Sequence, residues 1–140
     1  MSPLSQQRIR ESFAGQSMMQ TLGATLERVD QGNVEIHAPI LPGSRQQHGF
    51  AHAALTFAIG DSAAGYAALS MMPEGNEVLT TEMKINLLAP AKGAYLIARG
   101  RVIKPGRRLV IVQSDVFAID DGRETHIALL TGTMIPIAVA

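Results

Sequence analysis

One acid stands in the middle of an otherwise uncharged, alanine-rich run: Asp61, within Ala51 to Met72. Read as a helix, this run places Phe57, Ala58, Ala64 and Gly65 three and four residues from the acid, and none can pair with its charge. A carboxylate buried without a partner is costly, and its pKa moves upward. An acid tuned in this way suits general-base chemistry near neutral pH. The structural alternative is that Asp61 bonds to a backbone group or an arginine elsewhere in the fold.

The segment before it, Arg45-Gln46-Gln47-His48-Gly49-Phe50-Ala51-His52-Ala53-Ala54, enters the N-terminus of that helix. The first amides of a helix have no intrahelical partner and carry the positive end of its dipole. They suit a carbonyl oxygen that becomes negative during acyl transfer. Small residues at Ala53 and Ala54 would let a substrate approach the backbone, and Gln46 and Gln47 bring amides that could hold a water or the acyl group. His48 and His52 are four apart, a spacing open to a metal pair. Gly49 opposes one continuous helix through both and no third ligand is evident, so no metal site is expected. His52 is expected to orient the loop through a ring hydrogen bond, and His48 to lie at the surface.

The elements around these residues are marked by turn signals. A helical pattern runs from Ser5 to about Gly15, with Leu4, Ile9 and Phe13 as its apolar positions, and Gln16 to Leu22 adds a turn, so 1–22 form an N-terminal helical segment. Strands are expected at Ala24–Val29 and Val34–Ala38 around the turn Asp30-Gln31-Gly32-Asn33. Pro39 to Phe50 is a loop, and Pro73-Glu74-Gly75-Asn76 stops the long helix. Strands follow at Val78–Leu88, Tyr95–Lys104, Arg108–Ile119 and Glu124–Ile135, with hairpin signals at Pro90–Gly93, Pro105-Gly106 and Asp120–Gly122. Short turns imply an antiparallel sheet, and one long apolar helix beside it must be wrapped by it: an α+β architecture. Gly60 and Gly65 interrupt the helix interior, where glycine costs about 1 kcal/mol relative to alanine. They imply close approach by the sheet, another chain or a ligand, or simply tight packing.

Composition bounds the function. The 140 residues fit one domain, 1–140, without repeat or linker. Twelve basic and twelve acidic residues balance, so a general nucleic-acid partner is not expected. There is no cysteine, which excludes a thiol nucleophile, a disulfide framework and a zinc-thiolate site. The polar start (Ser5, Gln6, Gln7, Arg8, Arg10, Glu11) does not read as a signal peptide. Ala51–Met72 is about long enough for a bilayer, but with His52, Asp61, Ser62 and Ser70 it reads as a buried helix. A membrane is not expected, and the cytoplasm is the default compartment.

Gln46-Gln47-His48-Gly49-Phe50-Ala51-His52-Ala53-Ala54 followed by Asp61-Ser62-Ala63-Ala64-Gly65-Tyr66 resembles the PaaI-type, phenylacetate-degradation branch of the hotdog-fold thioesterases. In that family a His-Gly-Gly turn enters the central helix and an Asp follows nine residues after the His, the spacing of His52 and Asp61. Thr81-Glu82-Met83-Lys84-Ile85-Asn86 through Pro90-Ala91, Gly100-Arg101-Val102 and Pro105-Gly106-Arg107 extend the likeness over nearly the whole chain. The resemblance implies a hotdog fold, an antiparallel sheet around one central helix. It implies that Asp61 is general base or nucleophile and that the amide of Ala53, where Gly is common, is the oxyanion donor. It also implies that Gln46 or Gln47 stands where the family often has Asn, and that Thr80 or Thr81 positions water.

Ala53 and Asp61 are eight residues apart, so about 12 Å along a helix. A water attacking a carbonyl held at Ala53 must lie within about 3 Å of its base. A second, antiparallel copy of the helix could bring its own Asp61 there, giving a two-fold homodimer with two equivalent sites. The family is similar, with edge-to-edge dimers and common tetramers. Lys104-Pro105-Gly106-Arg107-Arg108 gathers positive charge that could bind the phosphates of coenzyme A, with Lys92 a weaker candidate; an ordinary solvated turn is the alternative. Phe57, Met71, Met72, Met83 and Leu87, with Gly65, could form a medium-chain or aryl acyl pocket. The expected activity is acyl-CoA hydrolysis with no cofactor beyond the coenzyme A of the substrate. A hotdog acyl-CoA hydratase or dehydratase, using His52 of a partner chain, and a non-enzymatic acyl-CoA-binding protein are the alternatives.

Overall fold

The computed structural model describes residues 1–139, apart from the side chains of residues 3 and 4, so the Leu4 side chain of the N-terminal pattern and the final residue of the expected domain lie outside the described residues. Two short helices, α1 (Pro3–Ala14) and α2 (Ser17–Thr21), precede strands β1 (Thr25–Asp30) and β2 (Asn33–Pro39). The long helix α3 covers Ala53–Leu69, and β3 (Asn76–Leu87), β4 (Tyr95–Lys104), β5 (Val110–Asp120) and β6 (Arg123–Ala138) follow. The expected elements are all present. α3 is shorter than Ala51–Met72: His52 is its N-cap and Ser70 its C-cap. The ring of His52 accepts a hydrogen bond from the Ala54 amide, which cannot be made if the helix starts earlier.

The strands form one six-stranded sheet in the order β1-β2-β4-β5-β6-β3, with every neighbouring pair antiparallel. Two turns behave as their residues dictate. Asp121 and Gly122 both have positive φ, the backbone of a tight hairpin turn, and join β5 to β6. Gly32, also at positive φ, turns β1 into β2. The hairpin expected at Pro90–Gly93 is absent, because β3 pairs with β6 while β4 lies between β2 and β5. The residues after β3 cross the end of the sheet instead. They are held there by Ala51 N–H to Ala91 C=O and by Ile40 N–H to Ala94 C=O.

α3 is apolar all round, so it needs cover on most of its surface. The inward residues of the sheet supply it: Ile36, Leu96, Ala98, Val112, Val116, Leu130 and Met134 are fully buried against the helix layer. β4 comes closest, at Gly100. A Cβ there would collide with the carbonyl group of Ala63, and backbone cannot give way, so only glycine fits. At Gly60 a Cβ would stand 2.8 Å from a Leu130 methyl, so this glycine answers to packing against the sheet. Gly65 is different: a Cβ there would meet Met134 and Val78 at ordinary contact distances of 3.9 and 4.0 Å. The sheet does not require Gly65. Ser114, buried on the inward face of β5, donates to the Gly60 carbonyl at 2.6 Å. This bond ties the helix to the sheet one residue before Asp61.

Candidate active site

Asp61 is half-buried in a cleft between α3, β3 and the N-terminal helices, a cavity of about 450 Å³ whose walls include Gly65, Tyr66, Thr80 and Gln16. Its carboxylate has one partner from the strand: Thr80 Oγ1 donates to Asp61 Oδ1 at 2.7 Å. Among the described residues no arginine, lysine or histidine forms an ion pair with it. Burial pushes the carboxyl above its ordinary value of 3.8, and the Thr80 bond opposes that rise without cancelling it. The acid is therefore not wholly unpartnered. Helix spacing finds no neighbour for it because the partner comes from another element.

A β-bulge decides which threonine this is. Thr80 pairs with Met134 and Glu82 with Thr133, leaving Thr81 as the extra residue. The Thr81 hydroxyl donates to the Thr133 carbonyl, away from Asp61.

The start of α3 is a second locus. His52 N–H donates to the Ser44 carbonyl, and His52 Nδ1 accepts from the Ala54 amide at 2.9 Å, so the imidazole caps the helix and holds its proton on Nε2. The Ala53 amide makes no hydrogen bond among the described residues. Ala53 borders a cavity of about 550 Å³ lined also by Gln46, Phe50, Thr56, Leu87 and Ile127. The Gln46 side chain accepts from the His48 and Phe50 amides and so shapes the loop from within. Gln47 is exposed and lines neither cavity, and His48 is exposed as expected. Asp61 and Ala53 border different cavities: one chain holds a polarising amide and a raised carboxylate without bringing them together.

The thioesterase superfamily profile matches residues 48–125, more than half of the chain and both loci. The chain belongs to the thioesterase superfamily. It is a hydrolase of the thioesterase class, with the hotdog fold. A thioesterase family protein from Silicibacter pomeroyi is 42% identical, with a TM-score of 0.94 over 96% of this chain and 99% of that one. A Saccharolobus solfataricus protein with a provisional esterase name is 26% identical over 132 residues, 94% of this chain and 85% of the relative. The E. coli PaaI protein from the phenylacetic acid degradation operon shares the fold, with a TM-score of 0.84 at 18% identity over 96% of this chain and 94% of that one.

The other residues singled out in this thioesterase do not converge. Gly65 lines the Asp61 cleft, whereas Leu87 lines the cavity at Ala53. Met71 and Met72 border a third cavity with Arg107, beyond the C-terminal end of α3. Phe57 is exposed on α3. Met83 faces inward, partly buried, and packs on the core, its sulfur close to Gly132. Lys104 and Arg108 are exposed on either side of the β4–β5 turn, and neither they nor Arg107 line the Asp61 or Ala53 cavities of the same chain. Among the described residues no group of three or more His, Asp or Glu is arranged to hold a metal, and no helix is long and apolar enough to cross a membrane. Sequence reasoning passes over Ser114, although a serine between Val112 and Val116 at an inward position is its signal.

Proposed function

We propose that this thioesterase hydrolyses an acyl-CoA ester at a site shared by two copies of the chain. Asp61 of one copy activates the water, or attacks the thioester carbonyl itself. The Ala53 amide of the other stabilises the oxyanion and the thiolate of coenzyme A leaves. The free acid forms at once when water is the attacking group, or, when Asp61 attacks, after a second step in which water hydrolyses the acyl-Asp61 anhydride. The observation that carries this reading is Asp61 itself. It is a carboxylate raised by burial, held by one hydroxyl and with no cation paired to it among the described residues, on a wall of an open cleft. Such a group can accept a proton near neutral pH. Two features support the shared site: the free Ala53 amide borders a different cavity from Asp61, and β3, which carries Thr80, forms an edge of the sheet. A homodimer is the smallest assembly that meets this need, and pairing of dimers is compatible with it. The cationic turn of Lys104, Arg107 and Arg108 is a reading for the coenzyme A phosphates that also depends on the partner chain. The cytoplasm is the compartment we propose for this chemistry.

A panel of acyl-CoA esters with a free-thiol readout tests the activity. D61N abolishes turnover while ligand binding persists. Thiol release that is unaffected by D61N, or release from no ester at all, would overturn the assignment.

A further inference from the structure

The cleft of Asp61 continues beyond the acid. It runs over Gly65 to the hydroxyl of Tyr66, which receives a hydrogen bond from Gln16 Nε2 at 2.6 Å and shares one with Ser12 at 3.0 Å. Three facts about this far end stand out. Gly65 is not demanded by packing, since a Cβ there would make only ordinary contacts; leaving it out widens the cleft. The wall contributed by α1 and the α2 N-cap is polar, whereas the cavity at Ala53 presents Phe50, Leu87, Leu88 and Ile127. Finally, Gln16 uses only its Nε2. Its side chain makes no cap bond to α2, and its Oε1 makes no hydrogen bond among the described residues. No buried side-chain polar atom lacks a partner among those residues, so that oxygen is open rather than buried.

We infer that Gln16 and Tyr66 read the far end of the acyl group, and that the preferred substrate is a short acyl chain ending in a hydroxyl or similar hydrogen-bonding group. Asp61 and Tyr66 are five residues apart, about 7.5 Å along the helix axis, the reach of an acyl chain of about six carbons. An open acceptor with a network behind it rewards a ligand that donates to it. A plain alkyl end would leave Gln16 Oε1 stripped of water and unpaired, which is the penalty that makes such sites selective. The N-terminal helical segment thus acts as a specificity wall, pinned to α3 through Tyr66.

The inference rests on the acyl-CoA reading above, so its test does not depend on turnover. The non-hydrolysable thioethers S-hexyl-CoA and S-(6-hydroxyhexyl)-CoA are titrated into the full-length protein by calorimetry. The hydroxylated form binds about tenfold more tightly, the effect of roughly one well-made hydrogen bond. Q16L brings the two ligands to parity, Y66F narrows the gap, and G65A weakens both relative to S-methyl-CoA. Because parity compares two ligands on one protein, a general loss of stability cannot produce it. Equal affinities in the wild type, a preference that survives Q16L, or failure of both thioethers to bind overturns the inference. Ester hydrolysis without this preference would sink the specificity wall alone and leave the assigned activity standing.

Discussion

Thr80, on the edge strand, donates its hydroxyl to Asp61 on the central helix across 2.7 Å. That contact lowers the pKa of the acid while burial, the larger effect, raises it. Removing the hydroxyl therefore moves the carboxyl further up. In T80V the acidic limb of the rate profile shifts to higher pH, and kcat/KM at neutral pH falls about tenfold, the equivalent of about 1.5 kcal/mol for a hydrogen bond to a charged group. T80S, which keeps a hydroxyl, stays close to wild type. A pH-rate series on the three proteins checks this, and an acidic limb that T80V leaves in place would count against the proposed role of Asp61.

Stability carries the opposite signature. The folded chain holds the Asp61 proton to a higher pH than the unfolded chain, whose carboxyl titrates near 3.8. Between 3.8 and the raised folded value the folded state binds more protons, so stability falls as pH rises through that window. Above it the desolvation of the ionised acid is felt in full. D61N removes that charge, so the variant melts above wild type at pH 7, and the difference shrinks as the pH drops toward 3.8. Calorimetric melts across this range decide the point. A variant that is less stable at neutral pH would contradict the sign.

Ala53 offers a clean way to delete an amide. It is the first residue of α3, where proline is tolerated because that N–H has no helical partner, and His52 at φ −64 and ψ 144 already has the backbone that a following proline demands. A53P should fold and yet lose about 100-fold or more in kcat, the cost of an oxyanion donor. Mixing A53P with D61N then tests the shared site. Each mixed dimer carries one undamaged site, so random exchange restores about a quarter of wild-type activity. Two inactive proteins that stay inactive after exchange would place the whole site within one chain.

The edge of β3 also predicts how two copies meet. Facing residues of antiparallel strands lie on the same side of the sheet. Glu82 and Lys84 share the outer side of β3, opposite Thr133 and Thr131 of β6. Pairing about Met83 sets Glu82 against Lys84 of the partner subunit, twice, whereas pairing about either charged residue opposes like charges. K84E should weaken the dimer about tenfold, from two cross-strand pairs of up to about 1 kcal/mol each. E82K/K84E should recover it. Sedimentation analysis reads both, and a K84E protein with wild-type assembly would refute this register.

Most of the elements are legible in the sequence because local chemistry marks them. Pro73, Gly75, Gly32 and the Asp121-Gly122 turn set their boundaries, and a carboxylate in an apolar helix marks the candidate site. The features that stay hidden depend on contacts between distant segments. The pairing of β3 with β6 rather than β4 is such a case, because Pro90–Gly93 has the composition of a hairpin turn and only its backbone bonds to Ala51 and Ile40 reveal a crossing segment. The choice between Thr80 and Thr81 turns on an irregularity in the ladder, and that between Gln46 and Gln47 on how the loop folds over its own amides. Met83 has a side chain that suits a pocket lining, but its register with Gly132 turns it inward.

The extra residue at Thr81 puts the two halves of β3 out of step. Before it, the even-numbered Val78 and Thr80 lie opposite inward positions of β6; after it, the odd-numbered Met83 and Ile85 do. The strand can thus present a hydroxyl to the acid at one end and a separately phased set of side chains to a neighbouring copy at the other. Changes after the bulge can therefore retune the contact with a neighbouring copy without moving the hydroxyl that holds the acid, while the proposed shared site still needs both copies.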